Sequence, residues 1–498
     1  MGLDIDREHF DADDRSRFHA KLMQELSALE TLLRRSDFGV GPASIGAELE
    51  VSLVDEAGAP LPINRTVLAA TLDPNVTLEV DRFNLEINTK PVPLAGRPFT
   101  ALGEELTRGI DGIGRAAASY GGRVVTIGIV PTLVAGDLTS AALTDSRRFR
   151  ALSAGLRALR RAPFDVHIEG LDRLAVAYDD VTLQGANTSL QLHLRVAPAQ
   201  FAATFNAAQI ATAPALAAAT NSPIFLGQRL WEETRIALFR QSVDDRRGPT
   251  DDDWRPARVS FGHGWVRASA LELFAESVAF HAPVLPVIGP EDAEACVRRG
   301  EIPTLDELRL HHGTVWHWNR AVYDDAAGGH LRIELRALPA GPTVADMTAN
   351  AAFLLGATLG MAPEIERWLR GMTFGHARRN FYAAARHGLD AELLWPGAAG
   401  DSPHPRTAAA IVEELLPLAR RGLVDAGVDA DEVDGLLEII ARRVATGVTG
   451  ARWQQRALAT LEAGTNRREA TKVMLARYRQ NAASNEPVHR WEPGERTT

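Results

Sequence analysis

The apolar positions along the chain fall into two periods, and the changes between them divide it. Residues 14–35 carry Phe18, Leu22, Leu26, Leu29 and Leu33 at steps of three and four, which predicts an amphipathic helix packed on its own domain. From about residue 44 to 195 the period falls to two, as in half-buried strands, with a helical stretch near 97–119 and a short buried strand "RVVTIGIV" at 123–130. Helical spacing returns over 198–220, 268–281 and 343–361, and residues 407–480 read as helical throughout. Before them, "LLWPGAAGDSPHPR" (393–406) gathers Pro, Gly and Ser and reads as a linker. The ending "SNEPVHRWEPGERTT" reads as disordered. The expected plan is α+β: an N-terminal helix over 1–37, a main domain over 38–392, a helical C-terminal extension over 407–482 and a disordered tail over 483–498.

Four strands carry chemistry on one face. "GAELEVSLV" (46–54) turns Ala47, Leu49, Val51 and Leu53 one way and Glu48 and Glu50 the other. "FNLEINTK" (83–90) sets Phe83, Leu85 and Ile87 against Asn84, Glu86 and Asn88. "SLQLHLRV" (189–196) sets Leu190, Leu192 and Leu194 against Gln191, His193 and Arg195, and "LRIELRAL" (331–338) sets Leu331, Ile333 and Leu335 against Arg332, Glu334 and Arg336. Taken singly, each is the pattern of an ordinary half-buried sheet. Together they offer Glu48, Glu50, Glu86, His193 and Glu334, a set rich in oxygen with one imidazole. Residues two apart on a strand lie about 6.6 Å from each other on the same face, and like charges so held repel unless a cation sits between them. The donor set suits Mg²⁺ or Mn²⁺; thiolates are missing and no HExxH offers a zinc site. Arg336, on the same face as Glu334, could take a phosphate oxygen that bridges to the metal. The loaded face is expected to be the floor of a metal–polyphosphate site whose apolar back packs on helices.

Composition narrows the partners. A formal net charge of −10 argues against a nucleic-acid binder that works through a broad basic surface. Lysine occurs only at Lys21, Lys90 and Lys472, so a lysine-tipped phosphate loop and Schiff-base chemistry are both disfavoured, and neither GxxxxGK[ST] nor GxGxxG occurs. Cys296 is the only cysteine, which excludes an internal disulfide and points to a reducing cytoplasm. The acidic start lacks the plan of a signal peptide. The most apolar stretch, 349–363, reads as too short to span a bilayer.

"GAELEVSLVD", "RFNLEINTKP", "LQLHLRV", "NSPIFLG", "WHWNR" and "GGHLRIELRALPAGPT" resemble the glutamate–cysteine ligase family 2, carboxylate–amine ligases of the glutamine synthetase-like superfamily. The resemblance runs in register from about residue 44 to 362, and the N-terminal helix and "GVTGARWQ" (447–454) match a longer subgroup. It implies a curved antiparallel sheet that forms an active-site funnel, with ATP entering at one end and substrates at the other. It also implies that Glu48, Glu50, Glu86, His193 and Glu334 hold Mg²⁺ around the ATP phosphates, that Glu334 and Arg336 are catalytic, and that Arg336, Asn84 and Gln191 face the nucleotide. Glu79 stands where the family often has aspartate, Arg82 where it has an acid, and Gln191 where many members have a first histidine.

The reaction implied is amide formation from a small amino-acid-like carboxylate and an amine. Arg235 and Arg320 are candidates to hold the substrate carboxylate as two-pronged partners, with Glu79 also assigned to the substrate; for Arg235 a surface ion pair on a helix is equally open. Arg452, in the helical tail, is a further candidate for the pocket. His311, His312 and His317 have no spacing that fits a metal site and are expected at an interface or substrate rim. Two rivals remain: a phosphotransferase of the same superfamily and a non-catalytic nucleotide binder. Substrate identity and oligomeric state, a homo-oligomer included, are left open.

Overall fold

A computed structural model describes residue 8 and residues 10–246, 255–397 and 402–492. Its largest sheet runs, in spatial order, through the strands Asn319–Asp324, His330–Leu335, Leu190–Val196, Ser44–Val54, Asn84–Asn88 and Val76–Leu78. The short strands Val92–Pro93 and Arg123–Val125 pair with the two ends of Ser44–Val54. Every pairing in this sheet is antiparallel, and the sheet curls into a half-barrel. The α+β expectation with a curved antiparallel sheet therefore holds.

Alternation explains why the sheet has two unlike faces. Leu49, Val51, Leu85, Leu192, Leu194, Ile333 and Leu335 are all buried in one apolar core. The helices Pro98–Ala118 and Phe201–Ala219 pack on the sheet. The same core takes in Phe18, Leu22 and Leu29 of the N-terminal helix Ala12–Leu33 and reaches Leu415 and Ile440 near the other end of the chain. The N-terminal helix and the first part of the extension are thus continuous with the main body.

Val344–Met361 is the central helix, wedged between Phe201–Ala219 and Ala408–Asp425. Its backbone meets the latter at Gly356 and Gly422, where a Cβ would come within 2.5 Å of the Ala419 carbonyl and 2.3 Å of the Gly356 carbonyl. Only glycine permits that crossing. The helical run Val344–Gly371 is long and apolar enough to cross a membrane, which the sequence window understated, but most of its apolar window (78%) is buried inside the fold. Asp346, completely buried, caps this helix with Thr343 and pairs with Arg443 at 2.7 Å, tying it to the helix Ala430–Thr446.

Three expectations need correction. The strand expected over 123–130 is only Arg123–Val125. The stretch expected to be a linker is a hairpin, Glu392–Trp395 against His404–Thr407, because Leu393 and Trp395 alternate into the core; residues 398–401 lie outside the described set. The tail expected to be disordered is ordered as far as residue 492. Val488 is buried, and Trp491 sits edge-on to Trp453 and Tyr478, each at 5.3 Å. Aromatic burial outweighs the polar composition there; residues 493–498 lie outside the described set.

Candidate active site

The register of the sheet decides which side chains meet. Arg320 pairs with Glu334, Glu334 with His193, Gln191 with Glu48, Glu50 with Glu86, and Glu86 with Thr77. Directly opposed residues share a face, so Glu48, Glu50, Glu86, His193 and Glu334 line one side of a single sheet. Two trios form on it. Glu48, His193 and Glu334 bring one ligand atom each to within 4.8 Å of one another, and Glu50, Glu79 and Glu86 do the same.

Hydrogen bonds hold this face in three groups. His193 Nε2 and Glu48 Oε1 are 3.0 Å apart. Glu334 is 1% exposed and accepts from Arg320 Nε at 2.6 Å and from Arg336 Nη1 at 2.5 Å. Arg336 also donates to Gln191 Oε1, and Gln191 Nε2 donates to Glu50 Oε1 at 3.1 Å. The other oxygen of Glu50 accepts from the Ser189 amide at 2.7 Å and from its hydroxyl at 3.0 Å. Glu86 Oε1 accepts from Asn88 at 2.9 Å and from Thr77 at 3.2 Å.

The charges divide the trios electrostatically. Burial alone would raise the Glu334 carboxyl, but the Arg320 and Arg336 guanidiniums hold it far below the usual carboxylate range. Glu48 likewise falls below its ordinary value against its burial, because His193 faces it. The second trio goes the other way. Burial, then the charges of Glu48 and Glu50, push Glu86 up to about 7. Burial, then Glu86 and Glu50, carry Glu79 well above the ordinary value. Glu50 is raised by burial despite Arg336 and Arg235. One trio is neutralised from within; the other needs positive charge from outside.

That asymmetry sets a pH dependence. A carboxyl whose folded pKa is raised holds its proton longer when folded, so its contribution to stability is complete below about 4.5, its unfolded value, and is lost as pH rises through the folded one. With Glu86 at about 7, the metal-free protein should lose melting temperature between pH 5 and pH 8. Added Mg²⁺ should raise the melting temperature more at pH 8 than at pH 5. Differential scanning fluorimetry across that range, with and without Mg²⁺, measures both.

The remaining expected site residues divide between this face and the helices around it. Glu79, assigned to the substrate, stands with the carboxylates of Glu50 and Glu86. Arg235 is neither a surface ion pair nor open to substrate: it is 2% exposed, bonded to Glu233 at 3.1 Å and to the Ala337 carbonyl. Arg320 is engaged by Glu334. Asn84 is on the acid face but buried beside Ser52, to which it donates at 3.4 Å. Arg452 pairs with Glu232 and Asp390. His311 and His312 are buried on Ser277, not at a rim. Two contributors escaped sequence reasoning. Ser189 has the same parity as Gln191 and His193 and could have been read. Arg148 comes from the helix Arg147–Arg160, and nothing local marks it; burial lowers its pKa against the facing charges of Glu79 and Glu86. A cavity of about 620 Å³ beside Thr100, Val344 and Leu436 includes none of these residues.

The site is thus a curled antiparallel half-barrel that carries two acid-rich trios on one face. The chain belongs to the glutamate–cysteine ligase family 2, whose family model matches residues 44–475, well beyond the stretch that the motifs cover. Among solved structures it is similar to a glutamate–cysteine ligase from Francisella tularensis in complex with AMP, at 13% identity and a TM-score of 0.54, covering 92% of this chain and 91% of that one. A bifunctional glutathione synthetase from Pasteurella multocida matches at 12% identity and a TM-score of 0.46, covering 93% of this chain and 55% of that one. No curated protein matches the chain.

Proposed function

We propose that the acid face binds ATP with Mg²⁺ or Mn²⁺ and uses it to join a small amino-acid-like carboxylate to an amine. The single observation that carries this is the pair of trios, Glu48–His193–Glu334 and Glu50–Glu79–Glu86, assembled from strands far apart in sequence. Five carboxylates and one imidazole fit hard divalent cations better than zinc. Glu79, a substrate candidate by sequence, is on this reading a ligand-side carboxylate. When bound, such cations neutralise charge on the β- and γ-phosphoryl oxygens.

The chain's own residues supply orientation and fixed charge. A substrate carboxylate oxygen attacks the γ-phosphorus, the bond to the β,γ-bridging oxygen breaks, and ADP leaves. The amine nitrogen then attacks the acyl carbon, the bond to the phosphorylated oxygen breaks, and phosphate departs with that oxygen while the nitrogen loses a proton. Arg336, locked by Glu334 and Gln191, presents a planar guanidinium to the phosphoryl group. Arg148, whose charge is felt by Glu79 and Glu86, is less buried than Arg235 and is the alternative for an anionic group of the substrate. No protein nucleophile is needed. The AMP bound by the Francisella tularensis ligase supports a nucleotide here, and the family name makes glutamate and cysteine the first pair to assay.

Glu86→Gln tests the reading. Glu86 Oε1 can be kept as the amide oxygen facing Asn88 and Thr77, so the substitution removes charge with little change of shape. Mg·ATP should stabilise the wild type by about 3 kcal/mol at a hundredfold excess over its dissociation constant. In Glu86→Gln most of that gain should vanish while the ligand-free protein is as stable as wild type or more so. ADP formation should require both a carboxylate and an amine; release without amine would favour a phosphotransferase instead.

A further inference from the structure

A third group of ligand atoms lies away from the acid face. His263 follows the short strand Val259–Ser260, which runs parallel to Trp316–His317 with Ser260 opposite His317. His281 caps the C-terminal end of the helix Leu271–Phe280. The three histidines are 18 and 36 residues apart in sequence, so no local motif announces them. In the fold their ligand nitrogens lie within 4.8 Å of one another. The rings of His263 and His317 are 5.5 Å apart and nearly perpendicular, at 77°.

What distinguishes this cluster from histidines that merely fill a core is that its unpartnered nitrogens converge. His281 and His317 are 5% and 3% exposed, yet Nε2 of each, and of His263, is buried with no partner. His311 and His312 each bond Ser277 through one ring nitrogen and leave the other unpartnered, but those nitrogens belong to no such convergent group. A buried nitrogen left without a partner costs free energy, and here three such nitrogens converge. Glu276 adds a fourth donor: its Oε1 is also buried and unpartnered, 3.6 Å from His263 Nε2.

We propose that His263, His281 and His317 bind a divalent transition metal of the Zn²⁺ class, with Glu276 completing the coordination. Three imidazoles and one carboxylate are a set for zinc, cobalt or copper rather than magnesium, so this metal would differ in kind from the one on the acid face. Burial keeps the rings in the neutral form that ligates: His317 is pushed down to about 3 by its burial and by His263 and Arg320. Arg258, whose charge acts on His281, is already met by Asp245 at 2.7 Å. His263 is the most accessible of the three histidines and also lines a cavity of about 420 Å³ with Arg378 and Tyr382. The site would pin the end of the helix Leu271–Phe280 to the strand pair beside it. It stands whether or not the acid face works as proposed.

The test is titration of the full chain with Zn²⁺ in excess Mg²⁺, followed by calorimetry, with Co²⁺ as a spectroscopic substitute. One equivalent should bind with a rise in melting temperature, and Co²⁺ should give the visible d–d bands of a four-coordinate site. His263→Gln changes the least buried of the three histidines and should keep the fold; it should weaken binding by about 100-fold or more, as should His281→Gln. Glu276→Gln should weaken it less, and His167→Gln, at an exposed strand position, should leave it unchanged. Absence of stoichiometric binding to the wild type would overturn the proposal. So would binding that survives His263→Gln and His281→Gln, or that is lost instead in Glu86→Gln.

Discussion

Arg336→Lys is expected to lower turnover by a hundredfold or more while changing the affinity for Mg·ATP little. Lysine keeps the positive charge but loses the planar fork that reaches Glu334 and Gln191 together. A contact that strengthens as the phosphoryl group transfers is therefore lost from the transition state, while ground-state attraction is largely retained. Removing one such donor typically costs about 3–4 kcal/mol of barrier. Steady-state ADP release beside calorimetric nucleotide binding separates the two terms. Turnover within a few-fold of wild type would mean that Arg336 serves the sheet and not the phosphate.

Glu334→Gln should behave quite differently. Glu334 is completely enclosed and answers two guanidiniums, those of Arg320 and Arg336. Neutralising it leaves both cations facing each other in a buried place, which costs about 3–5 kcal/mol of folding stability. The same change removes one member of the Glu48–His193–Glu334 trio, so Mg·ATP affinity should fall together with stability. Urea unfolding and nucleotide calorimetry on one preparation would register both losses. If stability falls while Mg·ATP affinity holds, Glu334 is an architectural ion-pair member only.

The contrast between these residues shows what alternation along a strand can and cannot reveal. It put Glu48, Glu50, Glu86, His193 and Glu334 on one face, because parity within a strand and burial of the other face leave no second choice. It also separated Gln191 and Arg336 from the leucines beside them. It did not set the registers between strands. Those bring Glu50 opposite Glu86 and draw Glu79 into the same trio, across connections that carry no periodic signal. Helical residues were harder still. Arg235 in "WEETRIALFRQ" reads equally as a substrate partner and as a surface ion pair, yet the helix Thr234–Ser242 is buried nearly all round and Arg235 bonds inward to Glu233. Arg148 enters from another helix, and its partners Glu79 and Glu86 are set by tertiary packing alone. At the C-terminus, polar composition outweighed Val488 and Trp491 in the reading, although these two anchor the segment in the fold.

On the proposed reaction, a substrate carboxylate takes the γ-phosphoryl group of ATP, and an amine then attacks the acyl carbon and releases phosphate. The most direct measurement follows oxygen. A panel of amino acids carrying ¹⁸O in the side-chain carboxylate, glutamate first, is incubated with the protein, Mg·ATP and a panel of amines that includes cysteine. The released phosphate is then analysed by mass spectrometry. The account predicts one ¹⁸O per phosphate formed, in step with ADP and amide, and dependence on both carboxylate and amine. ADP and phosphate released without the label, with the phosphate oxygen drawn from water, would contradict it.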